Sequence, residues 1–233
     1  MCLAITGPFA SCISETPAEV TQENEMNRRW FVKSGLLVSG LAAMPRVALA
    51  ALTPTPQQTE GPFYPRELPL DHDNDLLKIA GKSGRVMGTP LHLFGRILNT
   101  DGAAIDGATI QIWQCDAKGI YHHPRDRAAG RDPNFQGFGE TRSNVEGACR
   151  FRTIKPVPYS WRAPHIHLKV FTPDGMETLT TQLYVAGDPA NERDGIYRAI
   201  ATEAERKAVT LEIAQAPELG GNALAAQFTI VIR

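Results

Sequence analysis

The chain has 233 residues, a formal net charge of −1, 42% apolar residues and 21% charged ones. That length bounds it to one domain, or one domain with extensions, and a charge so close to zero gives no reason to expect a nucleic acid or an anionic membrane as partner. Twenty glycines and seventeen prolines point to many turns, as in an all-β protein with long loops.

The first fifty residues read as an N-terminal extension and an export signal, apart from any fold. Residues 27–33, NRRWFVK, pair Arg28 with Arg29 ahead of aromatics, and the apolar run SGLLVSGLAAM and then Ala48-Leu49-Ala50 follow. This order is that of a Tat-type (twin-arginine) signal peptide, cleaved after Ala50, which would leave a bacterial protein in the periplasm or outside the cell. The apolar run is shorter than the roughly 20 residues that span a bilayer, so no membrane attachment is expected after cleavage. Met26 directly precedes the motif and is the expected start, with residues 1–25 as an upstream extension. A single domain is expected over 51–233.

Residues 55–65, TPQQTEGPFYP, have no periodicity and read as an extended segment wrapping over a body. Alternation of apolar and polar residues, the signature of half-buried strands, begins at 90–99 (PLHLFGRILN). TDGAAIDG follows as a hairpin signal, and strands are then predicted at 108–116, 147–154, 165–172, 178–187, 207–214 and 226–233. Only 194–207, DGIYRAIATEAERK, has a partly helical pattern. The expected fold class is all-β: a β-sandwich with long active-site loops and little helix. The 30-residue polar connection 117–146 contains Tyr121, His122 and His123, and connections of that length are usually functional or disordered.

The chemistry concentrates in PYSWRAPHIHLKV, residues 158–170. In a strand, residues two apart share a face, so His165 and His167 point one way and Ile166 the other, into core. Two imidazoles one pleat apart can reach one metal ion, although a strand histidine is more often satisfied by hydrogen bonds. Tyr121 and Tyr159 lie in loops that could close over the strand. Zinc prefers cysteine, histidine or carboxylate, whereas phenolate is a hard anionic donor suited to ferric iron. Two phenolates and a hydroxide neutralise Fe(III), which lowers the cost of burying it.

Three ordered stretches, GATIQIWQCDAKGIY, FRTIKPVPYSWRAPHIH and TTQLYVAGDP, resemble the intradiol ring-cleavage dioxygenases, the non-haem Fe(III) family that includes protocatechuate 3,4-dioxygenase and catechol 1,2-dioxygenase. The resemblance implies that Tyr121, Tyr159, His165 and His167 bind Fe(III), with Tyr159 as the axial tyrosinate that leaves when substrate binds. It implies that Arg162 stabilises negative charge developing on the substrate and that Gln182 supports Arg162 or the substrate. The expected substrates are a catechol-type small molecule and O2, and the expected product is a cis,cis-muconate-type diacid. Whether the protein is a homo-oligomer or needs a second kind of chain is open at this point.

Other residues carry weaker signals. Trp161 is a substrate wall or packing, Trp113 is expected in the core, and His122 and His123 either support the metal ligands, contact the substrate or, as the first expectation, are solvated loop residues. Gly61, Pro62 and Tyr64 either line the site mouth or serve a structural wrap. Arg125, Arg127 and Arg131 are candidates for binding a substrate carboxylate. The six-residue step from Tyr159 to His165 is shorter than the insertion common in such dioxygenases and predicts a more open site. Cys115 and Cys149 either pair in an oxidising compartment or remain buried thiols. Two other readings use the same residues: a non-catalytic secreted β-sandwich binding module, which needs no Tyr, Tyr, His-x-His set, and the same scaffold with zinc or copper.

Overall fold

The computed structural model describes residues 51–233. The expected signal peptide and the expected start at Met26 fall outside the described residues. Nine strands form two sheets. In chain order they are β1 (Pro90–Asn99), β2 (Thr109–Trp113), β3 (Phe138–Arg142), β4 (Ala148–Ile154), β5 (His165–Phe171), β6 (Glu177–Val185), β7 (Thr210–Leu211), β8 (Ala214–Gln215) and β9 (Leu224–Ile232). One sheet has the order β4-β1-β9-β8 and the other β3-β2-β5-β6-β7. Only β1–β9 and β6–β7 pair in parallel.

The sandwich follows from the alternation. Leu91, Leu93 and Ile97 of β1 pack with Ile110 and Ile112 of β2, Ile166, Leu168 and Val170 of β5, and Phe228 and Ile230 of β9 in one core between the sheets. Burying a side chain of this size stabilises by roughly 1.5–3 kcal/mol, so such inward rows hold the two sheets together. Gly95 is required in this layer: a Cβ there would lie 2.2 Å from Phe228 Cζ and 2.6 Å from Cys149 Sγ.

Three expectations are corrected. TDGAAIDG is not a hairpin between neighbouring strands, because β1 and β2 lie in different sheets. Its first half makes a tight turn, with Asn99 N–H donating to Ala103 C=O at 2.9 Å and a bridge from Leu98 to Ala104; the chain then crosses between layers. Within the expected long connection, FGETR forms β3, an edge strand paired with β2. The expected strand at 207–214 is instead the end of helix α2 (Glu203–Ala208) followed by β7 and β8, which belong to different sheets. Helix α2 extends this far because Thr202 and Glu205 form a reciprocal capping box at its start. A four-residue helix, α1 (Gly195–Arg198), precedes it. Cys115 and Cys149 are both buried free thiols, and burial pushes each up to about 12.

Residues 52–64 form the expected wrap. Thr55 exchanges hydrogen bonds with Val231 of β9, each at 2.9 Å, and Gln58 N–H donates to Thr180 C=O of β6 at 2.8 Å. The segment thus ties both sheets before it crosses the outer face of the second. That cover explains why β5 is buried on both faces, while an antiparallel strand usually leaves one face wet.

Candidate active site

The strand register places the site residues on the outer face of the five-stranded sheet. Trp113, His167 and Gln182 are direct partners across β2, β5 and β6, so their side chains share one face in a single row. His165 pairs with Tyr184 in the adjoining row. Trp113 is buried as expected, in a small apolar cluster with Cys115, Tyr121 and Phe138, and it also stacks on His167, with ring centroids 4.7 Å apart and planes 8° from parallel.

Tyr121 comes from the loop after β2 and is buried; its Oη lies 3.2 Å from His165 Nε2. The rings of His165 and His167 are 4.8 Å apart, and those of Tyr121 and Tyr159 are 5.1 Å apart. The structure therefore brings all four expected side chains to one place. His165 Nδ1 bonds the Ala163 carbonyl at 2.6 Å; since only an N–H can do so, the proton sits on Nδ1 and the Nε2 lone pair faces Tyr121. His167 Nδ1 is buried without a hydrogen-bond partner.

Burial, reinforced by the Arg162 charge, lowers His165 to about 4. Burial, with help from His165 and Arg162, holds His167 well below the ordinary histidine range. Both imidazoles are therefore neutral at physiological pH, the form that offers a lone pair. Burial raises Tyr121 well above the usual phenol range and raises Tyr159 as well; a bound cation inverts that balance, since its own charge favours phenolate.

Arg162 is nearly buried and held on three sides. Its Nε donates to Asp194 Oδ2 at 2.7 Å, and its Nη2 donates to Gln182 Oε1 at 2.6 Å and to Tyr184 Oη at 3.3 Å. Gln182 is fixed in turn by donating Nε2–H to Thr59 C=O at 3.0 Å, and Tyr184 by its bond to Gln58 Oε1 at 2.9 Å. Among the described residues Nη1 has no hydrogen-bond partner. The turn that links Tyr159 to Arg162 has Ser160 at φ 54°, in the left-handed region. It closes with Arg162 N–H donating to Tyr159 C=O at 2.9 Å.

The wrap completes the enclosure. Phe63 stacks on Tyr121 at 4.4 Å and meets Tyr159 edge-on at 5.2 Å. Gly61 adjoins the His167 ring. Tyr64 lies edge-on to Trp113 and donates to Gln111 Oε1 at 2.6 Å. Trp161 remains 67% exposed, with the Arg162 guanidinium 5.7 Å from its ring centroid. His123 lies against Phe63. His122 is not a solvated loop residue as expected: it packs edge-on to Phe135, with Nε2 buried. Arg125, Arg127 and Arg131 are exposed. Asp194, Tyr184, Phe63 and Gln58 belong to the site and had no individual signal in the sequence, except that Asp194 opens the helical pattern DGIYR as a helix-capping residue does.

Residues 59–233 match the family model described as Dioxygenase (Dioxygenase_C). Over 173 residues the chain is 36% identical to the protocatechuate 3,4-dioxygenase beta chain of Burkholderia cepacia, an alignment covering 71% of this chain and 72% of that one. It is 33% identical over 146 residues to the chlorocatechol 1,2-dioxygenase of Cupriavidus pinatubonensis, covering 55% of this chain and 53% of that protein, about half its length. Among solved structures it is similar to the dioxygenase domain of a dioxygenase carbohydrate-binding protein fusion from Streptomyces sp. SirexAA-E. That match has a TM-score of 0.59 at 27% identity and covers 77% of this chain and 97% of the other. The intradiol ring-cleavage dioxygenase of Tetranychus urticae, at 22% identity and TM-score 0.61 over 78% of this chain and 95% of the other, shares the fold. The chain belongs to the intradiol ring-cleavage dioxygenase family.

Proposed function

We propose that this chain cleaves the aromatic ring of a catechol-type substrate between its two hydroxyl-bearing carbons with O2, giving a cis,cis-muconate-type diacid. The observation that carries the reading is the meeting of two phenols and two neutral imidazoles beside a hydrogen-bonded arginine, in a chain of this family.

Intradiol dioxygenases use non-haem iron, and the residues present fit it. Tyr121, Tyr159, His165 and His167 would hold the metal: two groups that become anionic oxygen donors and two neutral imidazoles. Two phenols with two imidazoles make a hard, oxygen-rich donor set, which favours a ferric ion over zinc. When bound, the ferric ion supplies Lewis acidity that draws electron density from the catechol oxygens.

The remaining tasks fall to the chain. Tyr159 is only partly buried, unlike Tyr121; ionised by the bound cation's charge, it would be the phenolate free to turn aside and accept a catechol proton at Oη, becoming the neutral phenol. Tyr121, clamped under Phe63, stays in place. Arg162 offers a fixed positive charge to the negative charge that develops on the ring, and Gln182 keeps its plane from rotating. Phe63 packs against both tyrosines, and the exposed Trp161 ring lies beside Arg162, so aromatic surface is at hand for a substrate ring.

A visible absorption spectrum of the aerobically iron-loaded protein, with and without catechol, protocatechuate, chlorocatechol and hydroxyquinol, tests this reading. A tyrosinate-to-iron band that shifts with at least one of them, together with O2 uptake and a muconate-type product, is the expected result. A colourless protein that consumes no O2 with any of them overturns the reading and favours a binding module. The twin-arginine motif supports export as part of the same proposal.

A further inference from the structure

The site contains one buried carboxylate that the reaction does not use directly. Asp194 is fully buried and four N–H groups converge on it. Oδ1 accepts from Ile196 N at 2.9 Å and Tyr197 N at 3.2 Å, which caps α1. Oδ2 accepts from Arg162 Nε at 2.7 Å and from Ala163 N at 2.9 Å. The carbonyl of Ala163 accepts in turn from His165 Nδ1. A single oxygen therefore holds both the Nε of Arg162 and the backbone N–H of Ala163, the residue whose own carbonyl orients His165.

We infer that Asp194 is a positioning residue for ring cleavage, orienting Arg162 towards the substrate and anchoring the Ala163 peptide behind His165. This rests on the role proposed above for Arg162. The geometry explains why a carboxylate is needed. Its two oxygens serve two arms at once, one towards the helix and one towards the site. An asparagine has one acceptor oxygen and a donor NH2, so it can satisfy the helix arm or the site arm but not both. A serine caps a helix as well as aspartate does but is too short to reach the guanidinium. With the asparagine oxygen turned to the two N–H groups of the helix arm, and with serine, Arg162 would keep Gln182 and Tyr184 as partners while losing the contact that fixes Nε. Misplacing a catalytic group by about 1 Å can lower a rate about 100-fold.

The test uses iron-loaded Asp194→Asn, Asp194→Ser, Arg162→Gln and the double variant Asp194→Asn/Arg162→Gln. Iron content, the dissociation constant for catechol measured spectroscopically without O2, and kcat per bound iron are compared. Positioning predicts kcat per iron lower by about 30- to 100-fold in both Asp194 variants, with catechol affinity changed by no more than about threefold. In the Arg162→Gln background, Asp194→Asn should lower kcat by less than about threefold more, because residues acting through one another are not additive. If either Asp194 variant keeps wild-type kcat per iron, or if the full loss recurs in the Arg162→Gln background, the inference is wrong. A structural role alone reduces the amount of folded, iron-loaded protein and leaves kcat per iron unchanged. Wild-type turnover in Arg162→Gln refutes the role of Arg162 itself, and this inference with it. Should Asp194→Ser fail to fold, Asp194→Asn decides alone.

Discussion

Gly61 is where the N-terminal wrap meets a proposed ligand, and Gly61→Ala isolates that contact. Its φ is +74°, and an added Cβ would lie 3.3 Å from His167 Cε1. An alanine in this left-handed region costs about 1–2 kcal/mol, offset by about 0.4–1 kcal/mol from the reduced freedom of the unfolded chain. The net loss of about 0.5–1 kcal/mol corresponds to a fall in Tm of about 1–4 °C for a domain of this size. The contact adds a second, local effect. His167 cannot retreat freely, because the Trp113 indole is stacked parallel to it at 4.7 Å; either the wrap lifts or the imidazole tips. Gly175→Ala is the control: φ there is +87° with nothing within 4 Å of the new Cβ, in the turn at the far end of the β5–β6 hairpin. Both variants should show similar small losses in Tm by calorimetry. Only Gly61→Ala should lose iron affinity, by about tenfold, the scale seen when a ligand's supporting shell is disturbed. Equal iron affinity and equal turnover in the two variants would refute the claim that the wrap sets the position of His167.

Two other outcomes are expected. His167→Ala should abolish stoichiometric iron while retaining a cooperative unfolding transition; full iron content with normal turnover would remove His167 from the ligand set. Burial raises Cys149 from an ordinary value of 9.0 to about 12 in the folded protein, so above pH 9 the unfolded chain releases a proton that the native state retains. Stability from this group is therefore present below pH 9 and is lost as pH rises towards about 12. Cys149→Ala should show a shallower alkaline decline in urea-unfolding stability, and a decline parallel to wild type would contradict the assignment.

The class of fold and the shared face of His165 and His167 were legible in the sequence because they depend on local periodicity, whereas Tyr121 and Tyr159 lie in loops and were marked only by the resemblance to the intradiol dioxygenases. Alternation marks the strands of a sandwich, and the two-residue repeat of β5 puts Ile166, Leu168 and Val170 in the core and His165 and His167 on the other face. What was hidden depends on partners distant in sequence. The crossing after β1 resembles a hairpin because its first turn is one; nothing local says that β2 joins the other sheet. Strand β3 is an edge, with three of its five residues, Glu140, Thr141 and Arg142, exposed or half-buried polar side chains beside a glycine, and has little alternation to show. Asp194 reads as a helix cap, which it is, but its second oxygen serves Arg162, 32 residues earlier, and such a double use leaves no local pattern. Likewise Trp113 has the composition of a core residue, and only the register between β2 and β5 places it against His167.

The same register also explains why the wrap is part of the site. Lys169 follows His165 and His167 on the outer face of β5 and is itself buried. Burial alone would lower its pKa, but hydrogen bonds to Glu60 and Glu177 outweigh that and raise it, so the ammonium remains charged. It also stands 3.9 Å over the Tyr64 ring. Both Glu60 and Tyr64 lie in the wrap and flank Gly61 and Phe63, the two residues that touch His167 and Tyr121. One strand thus supplies the proposed histidine ligands and, two residues further on, the cation that fastens the segment covering them. Placing the histidines on a paired central strand gives them a rigid frame, whereas the tyrosines come from loops. That division suits a reaction in which one phenol must move and the imidazoles must not.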